Sequence, residues 1–205
     1  MTIPMILHEY AASGNCYKIR LTAAHAGVAI ERREYDIVAG ETRTPGFLAT
    51  VNANGRIPVL QVGDRFLPES NAACVYIATG TALIPDDAFD RADMLRWMFW
   101  EQYSHEPNIA TLRFWTGWIG LDALSEAQRM QLGPKRAAGD AALALMDEHL
   151  SARMFCVSDR LTLADIALYP YTLKAEEGGF DLSRYPAVRS WLSRVGDQPG
   201  HVPFA

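Results

Sequence analysis

Apolar positions in the first 80 residues change repeatedly between a strand period and a helix period. The resulting segments are a strand, a helix, a second strand and a short helix, at about Met5–Tyr10, Asn15–Ala26, Glu31–Asp36 and Pro45–Val51. Two further short strands follow, joined by a Gly63-Asp64 turn, and a helical pattern begins after Ser70. The pattern predicts a strand–helix–strand half followed by a strand–strand–helix half.

The rest of the chain has helical spacing throughout. The predicted helices are about Arg91–Gly117, Ser125–Leu150, Thr162–Ala175 and Tyr185–Val195. Pro107 predicts a bend near residues 105–108, because proline lacks the N–H that a helix interior uses, and Gly133-Pro134 is a second potential break. Residues 82–90 (ALIPDDAFD) interrupt the apolar pattern, so we predict domains of residues 1–81 and 90–205 with a linker of residues 82–89.

The stretch from Asn52 to Ser70 combines two features that suit an extended, anionic, peptide-like ligand. Pro58 belongs at a strand start, and Ile57 before it is pushed toward extended geometry, so its backbone could pair with a bound peptide. A cis Ile57-Pro58 bond is not predicted, because only ~5–6% of such bonds are cis. Glu69 and Ser70 precede a helix, where capping is their ordinary role, although a helix N-terminus also binds anions.

The order of elements, with Asn52-x-x-Gly55-Arg56-Ile57-Pro58-Val59-Leu60 and Glu69-Ser70 in register, resembles the cytosolic glutathione transferases of bacteria. The resemblance extends over about residues 5–195 and includes LTLADIA at residues 161–167. It implies the glutathione transferase fold: an α/β thioredoxin-like N-terminal domain with a mixed four-stranded sheet, and an all-α C-terminal domain. It also implies a cytoplasmic, homodimeric detoxification enzyme that adds glutathione, its co-substrate, to a small hydrophobic electrophile.

Thiol activation is expected in the loop after the first strand. The enzyme must lower a thiol pKa of about 8.5, and one hydrogen bond to the thiolate, worth ~1.5–3 kcal/mol, lowers it by roughly one to two units. Ser13 matches the serine of the serine-type transferases and is the favoured donor, with helix capping as its alternative role. Asn15 and Cys16 are the alternatives. A cysteine at a helix N-terminus would have a lowered thiol pKa and would be reactive, whereas a buried Cys16 would be inert.

The matched motif implies three further contacts with glutathione. Ile57, beside Pro58, is expected to pair its backbone with the cysteinyl unit. Ser70 is expected to bind the γ-glutamyl carboxylate at the helix N-terminus. Glu69 is expected to hold the γ-glutamyl ammonium group.

The glycine carboxylate of glutathione requires a positively charged partner. The chain carries a net charge of −5, from 19 basic and 24 acidic residues, which disfavours nucleic acids and anionic membranes as partners. The positive group must therefore be placed locally. Arg43, Arg56 and Lys18 are the candidates, and each is also compatible with an ordinary solvated surface charge.

The segment of residues 97–118 is rich in aromatic side chains, most of which have the spacing of a helical core. An apolar cleft there would suit a hydrophobic electrophile. The candidate residues for this second-substrate cleft are Tyr103, His105, Arg113 and Trp115.

Thr162-x-x-Asp165 is a variant of the capping box, with Leu161 and Ile166 in the positions of a hydrophobic staple. Related sequences carry a similar motif that matters for folding, so we interpret these residues as structural. Ser158 occupies a position where such sequences usually have glycine.

Three widely spaced cysteines without a C-x-x-C motif argue against a disulfide framework, a metal site or a dithiol active site, and for a reducing compartment. No run approaches the ~18 apolar residues of a membrane span, and the N-terminus lacks a signal pattern. Two other functions stay open. One is a glutathione-dependent disulfide reductase or peroxidase, and the other is a non-catalytic binding protein on the same fold.

Overall fold

A mixed four-stranded sheet in the order β2-β1-β3-β4 forms the centre of the first part of the chain in the computed structural model, which describes residues 3–204. The strands are β1 (Met5–Glu9), β2 (Glu31–Glu34), β3 (Val59–Val62) and β4 (Arg65–Pro68). β1 pairs in parallel with β2 and antiparallel with β3, and β3 and β4 form the predicted hairpin. The predicted thioredoxin-like fold is confirmed.

Three helices accompany this sheet: α1 (Gly14–Ala26), α2 (Pro45–Thr50) and α3 (Ser70–Ala78). α1 and α3 pack against each other. α1 is bounded by local signals, because Ser13 caps its N-terminus and Gly27 ends it in the left-handed conformation with φ of 66°.

The helical part of the chain contains α4 (Ala88–Trp100), α5 (Glu106–Phe114), α6 (Glu126–Leu150), α7 (Leu163–Leu173) and α8 (Pro186–Gly196). Short 3₁₀ segments lie at Glu41–Arg43, Leu121–Ala123, Ala175–Gly178 and Leu182–Arg184. π-helical turns at Glu101–His105 and Trp115–Ile119 adjoin the two ends of α5. Within residues 3–204, none of the helices combines the length and the apolar character needed to cross a membrane.

The two prolines at which the sequence predicts irregularities in the helical part have different effects. Pro107 lies in the first turn of α5, where no intrahelical N–H bond is lost, and the expected irregularity is the π-helical turn just before it. Pro134 lies inside α6, which continues through it. Gly133-Pro134 therefore does not break the helix.

The chain forms two compact units. One extends to Ile84 and also contains the chain from Pro199 onward, and the other is Pro85–Gln198. In the C-terminal segment, the Val202 carbonyl accepts a hydrogen bond from the Tyr17 hydroxyl, and the ring of Phe204 lies 4.5 Å from that of Tyr17. Our sequence-based division placed this segment in the helical domain. Residues 1, 2 and 205, which the predicted domains include, lie outside the described residues.

The capping box at the start of α7 is present and extends into a buried network. The fully buried Asp165 carboxylate accepts the Thr162 N–H at 3.0 Å, the Cys156 N–H at 2.8 Å and the Trp191 indole N–H at 2.9 Å. Burial raises the pKa of Asp165 even though these donors favour its charged form. Ser158, in the preceding loop, has φ of 59°, the left-handed conformation that glycine adopts most easily, and its hydroxyl donates to Asp90 at 2.7 Å.

Candidate active site

Three chain segments emerge at one end of the sheet. The strand register pairs Val59 with both His8 and Pro68. The residues that follow β1, precede β3 and follow β4 therefore leave the sheet at the same end. These are the loop to Ser13, the Ile57-Pro58 pair and the Glu69-Ser70 pair.

The N-termini of α1 and α3 are joined by a side-chain contact. The Ser70 hydroxyl donates to Asn15 Oδ1, with the two oxygens 3.4 Å apart. Every helix N-terminus has N–H groups without intrahelical acceptors and a partial positive charge. Two such ends in contact create a place suited to an anionic ligand.

The Ile57-Pro58 peptide bond is cis, which the sequence did not predict. Pro58 is buried, and Ile57 is half-buried and precedes the first paired residue of β3.

Ser13 is half-buried and caps α1, because its Oγ accepts the Cys16 N–H at 3.4 Å. A hydroxyl has two lone pairs and a separate O–H donor. Capping therefore uses a lone pair of the hydroxyl and not its proton. The capping role and the thiol-activating role, which the sequence presented as alternatives, are compatible.

Cys16 is fully buried, with its sulfur 3.4 Å from the Tyr10 amide nitrogen. Burial raises the pKa of this thiol to about 12, although hydrogen bonds involving Ser13 and the Tyr10 amide act in the opposite direction. The thiol is thus neutral at physiological pH. The geometry supports the interpretation of Cys16 as an inert core residue.

Glu69 has φ of 73° and ψ of 112°, a conformation that non-glycine residues rarely adopt. Its side chain is exposed, while Ser70 is 6% exposed. Residues with a strained backbone of this kind are concentrated at ligand-binding sites. The sequence contained no signal for it, since Glu-Ser reads as an ordinary helix start.

The three candidate cations occupy different environments. Arg43 Nη1 donates to the Asn54 carbonyl at 3.1 Å, and its guanidinium packs on Gly55, where a Cβ would lie 2.7 Å from Nη1. Arg43 is therefore held on the turn that leads into Ile57. Arg56 is exposed, and Lys18 is fully buried on α1 rather than on the surface.

The structure does not bring the four candidate cleft residues together. His105 is fully buried with Nε2 2.9 Å from Thr172 Oγ1, and Arg113 is buried in an ion pair with Glu177 at 2.6 Å. Trp115 is 8% exposed, whereas Tyr103 is 86% exposed. Three of the four candidates are therefore buried in the helical unit, and only Tyr103 is strongly exposed.

A buried ion cluster that the sequence analysis missed positions the loop before Ser13. The fully buried Glu9 forms ion pairs with Arg20, at 2.8 Å, and with Arg32. The second amino group of Arg20 donates to the Ala11 carbonyl at 2.9 Å. A glutamate that ends an apolar strand was the available signal, because a buried charge requires a partner. Among residues 3–204, no cluster of three or more His, Cys, Asp or Glu side chains could hold a metal ion.

Comparisons with known proteins agree with this geometry. Residues 4–79 match the family described as glutathione S-transferase, N-terminal domain, and residues 128–199 match its C-terminal domain. A glutathione S-transferase structure from Pseudomonas fluorescens Pf-5 is 42% identical, with a TM-score of 0.90 and 98% of each chain covered.

Two curated relatives cover most of the chain. Glutathione S-transferase 3 of Zea mays is 30% identical, and the match covers 96% of this chain and 90% of that protein. A disulfide-bond oxidoreductase of Escherichia coli K12 is 25% identical, with 95% and 92% covered.

Proposed function

Because this chain belongs to the glutathione S-transferase family, we propose that it binds glutathione at the joined N-termini of α1 and α3 and activates the thiol for addition to a hydrophobic electrophile. The contact between Ser70 and Asn15 carries the proposal, because it unites two anion-favouring helix ends beside the cis Ile57-Pro58 bond. One helix end would receive a carboxylate and the other a thiolate.

The γ-glutamyl end would occupy the start of α3. The backbone N–H of Ser70 would bind the carboxylate, and its hydroxyl would exchange its Asn15 acceptor for the same carboxylate. The exposed carboxylate of Glu69 would pair with the ammonium group. The backbone of Ile57 would pair with the cysteinyl unit in the manner of strand addition. The ligand would therefore lie in an extended conformation across the end of the sheet.

The cysteinyl thiolate would accept a hydrogen bond from the Ser13 hydroxyl. This hydrogen bond to the charged sulfur is worth ~1.5–3 kcal/mol, and the α1 N-terminus adds ~0.3–1 kcal/mol. Together they would make the thiolate a major species near neutral pH without a general base. Asn15 would position the Ser70 side chain until the ligand carboxylate replaces it as the acceptor, and Cys16 would take no part in the chemistry.

Arg43 would bind the glycine carboxylate in preference to Arg56. The guanidinium is held on Gly55, two residues before Ile57 in the chain, whereas the side chain of Arg56 is exposed.

The first test is substrate choice. With glutathione present, the protein should consume an aryl halide. In a separate binding measurement, the Ser70→Ala variant should bind glutathione roughly 10-fold or more weakly than the unaltered protein, which is the loss expected for a hydrogen bond to a charged group. Ser193→Ala, on α8, is the matched control and should leave glutathione affinity unchanged. Unchanged affinity in Ser70→Ala would remove the basis of the proposal.

Glutathione-dependent disulfide reduction is the second candidate, because a disulfide-bond oxidoreductase is among the relatives. The buried, neutral Cys16 thiol argues that two glutathione molecules would supply both sulfurs. Turnover of a mixed disulfide of glutathione, without turnover of aryl halides, would favour this reaction.

We also propose a cytoplasmic homodimer. Three large side chains on and just after α4 are strongly exposed at four- or ten-residue spacing, namely Phe89 at 79%, Phe99 at 72% and Tyr103 at 86%. A second copy of the chain would cover them, since exposed apolar patches mark association surfaces. If the protein is not a homodimer, light scattering of the purified protein would give the mass of a monomer.

A further inference from the structure

A four-residue turn of residues 10–13 connects β1 with α1 and determines where Ser13 lies. The Ser13 N–H donates to the Tyr10 carbonyl at 2.9 Å, and this bond closes the turn. The two central residues are Ala11 and Ala12, which lack the features through which glycine, proline and asparagine favour a particular turn geometry. The conformation of this turn must therefore be fixed by groups outside it.

Ala11 is held at both of its backbone polar groups. Its N–H donates to the Glu34 carboxylate at 2.6 Å, and its carbonyl accepts a hydrogen bond from the Arg20 guanidinium at 2.9 Å. The N–H belongs to the peptide group before Ala11 and the carbonyl to the peptide group after it, so two successive peptide planes of the turn are fixed. Both bonds involve a charged group, and such hydrogen bonds are stronger than neutral ones.

Glu34 closes a ring of contacts that the ion pairs of Glu9 begin. Glu34 Oε2 lies 4.0 Å from Arg32 Nη2, and Arg32 is paired with Glu9. Glu9 is paired in turn with Arg20, which holds the Ala11 carbonyl. Each of the four charged side chains therefore has two partners in the ring, and the backbone of Ala11 is the fifth member.

The geometry of β2 explains why Glu34 reaches the turn. β2 runs parallel to β1, and Glu34 pairs with Glu9, the last residue of β1. Arg32 and Glu34 are two residues apart on β2, so their side chains leave the same face of the sheet. Arg32 contacts the end of β1, whereas Glu34 extends beyond that end to Ala11.

The charges of the ring separate two ways in which Glu34 could act on a thiolate near Ser13. Two carboxylates balance two guanidinium groups, and the removal of Glu34 would leave an excess positive charge. An excess positive charge would favour the thiolate and lower the thiol pKa. Loss of the hydrogen bond to Ala11 would instead release the turn, misplace the Ser13 hydroxyl and raise the thiol pKa.

We propose that Glu34 is a positioning residue for thiol activation, acting through its hydrogen bond to Ala11 to hold Ser13 where the hydroxyl can donate to the thiolate of glutathione. The inference rests on the proposed function, in which Ser13 is that donor. Glu34 touches neither glutathione nor the electrophile. Its side chain is 51% exposed, so its removal leaves no cavity, whereas loss of Arg20 would remove a partner from the buried Glu9.

The test is a titration of glutathione bound to the full chain, followed by the ultraviolet absorbance of its thiolate. Glu34→Ala should raise the thiol pKa by about 0.5–1 unit, a part of the roughly one to two units that the whole Ser13 hydrogen bond supplies. Well below that pKa, turnover should fall about three- to tenfold, because one unit corresponds to tenfold less thiolate. The KM for glutathione should change little, since Ser70 and Ile57 are untouched.

Two variants isolate the hydrogen bond from the charge. Glu34→Gln removes the same charge as Glu34→Ala but keeps a side-chain oxygen that can accept the Ala11 N–H, so it should return most of the lost turnover. Glu31→Ala is the matched control, because Glu31 is an exposed glutamate of the same strand that pairs with Ile6, away from the turn. Hydrogen exchange of the Ala11 amide should accelerate in Glu34→Ala and stay unchanged in Glu31→Ala.

The outcomes distinguish this inference from the proposed function. If Ser13→Ala raises the thiol pKa and Glu34→Ala lowers it or leaves it unchanged, Glu34 is not a positioning residue and the proposed function stands. An equal rise in Glu31→Ala, or no recovery in Glu34→Gln, would also overturn the inference. If the unaltered protein does not bind glutathione, the proposed function and the inference both fail.

Discussion

Replacing Ser13 with alanine separates two roles that one hydroxyl combines. The substitution removes the Oγ that accepts the Cys16 N–H at 3.4 Å and also the proposed donor to the glutathione sulfur. Loss of the cap should lower the free energy of unfolding by ~1 kcal/mol. Loss of the donor, worth ~1.5–3 kcal/mol, should raise the thiol pKa of bound glutathione by roughly one to two units.

The sign of the pH dependence follows from this shift. Below both pKa values, turnover depends on the thiolate fraction, so the variant should be roughly 10- to 100-fold slower. As the pH rises past the pKa of the variant, both proteins hold glutathione as the thiolate and the difference should shrink. The ultraviolet absorbance of the bound thiolate, titrated in both proteins, measures the shift directly.

Ser125→Ala provides the matched control. Ser125 caps α6 through an Oγ that accepts the Gln128 N–H at 3.3 Å, nearly the same geometry. It should lose similar stability and leave the thiol pKa unchanged. If Ser13→Ala also leaves that pKa unchanged, Ser13 is a helix cap and the activating donor must be sought elsewhere, first at Asn15.

Three further predictions concern residues that support the fold and the site. Asp165→Ala should lower the free energy of unfolding in urea by ~3–5 kcal/mol, because three buried N–H donors lose their shared acceptor. A loss below ~1 kcal/mol, the contribution of a single ordinary hydrogen bond, would contradict the network. Gly55→Ala should displace the Arg43 guanidinium, because the added Cβ would lie 2.7 Å from Arg43 Nη1 and the backbone at residue 55 has a φ of +63°. The KM for glutathione should therefore rise. An unchanged KM would show that Arg43 does not bind glutathione. Cys16 should resist alkylation in the folded protein at mildly alkaline pH, because its pKa of about 12 keeps the thiol protonated. It should react once urea unfolds the chain. Rapid labelling of Cys16 in the folded protein, detected by peptide mass, would contradict this prediction.

Local chemistry could be predicted from the sequence. Ser13 and the Thr162/Asp165 pair act on backbone groups within three residues, so their short patterns were sufficient for the caps. The order of strands and helices along the first unit followed from the succession of strand and helix periods. These features depend on neighbours along the chain.

Features that depend on distant residues could not be predicted in the same way. The strained φ of Glu69 arises where β4 passes into α3, and a Glu-Ser pair carries no trace of it. The interior position of Lys18 contradicts the usual exposure of lysine. His105 and Arg113 were candidates for a cleft because of their chemistry, yet Thr172 and Glu177, more than 60 residues away, hold them inside the helical unit.

The packing of residues 199–204 on α1 has a consequence for how the protein is made. Val202 lies 185 residues after Tyr17, so a ribosome adds Val202 and Phe204, which contact Tyr17, only after it has added the helical unit. The first unit therefore cannot complete its packing during its own synthesis and must wait until the whole helical unit has been translated. A nascent chain stalled before Pro199 should hold its α1 surface open to chaperones and proteases.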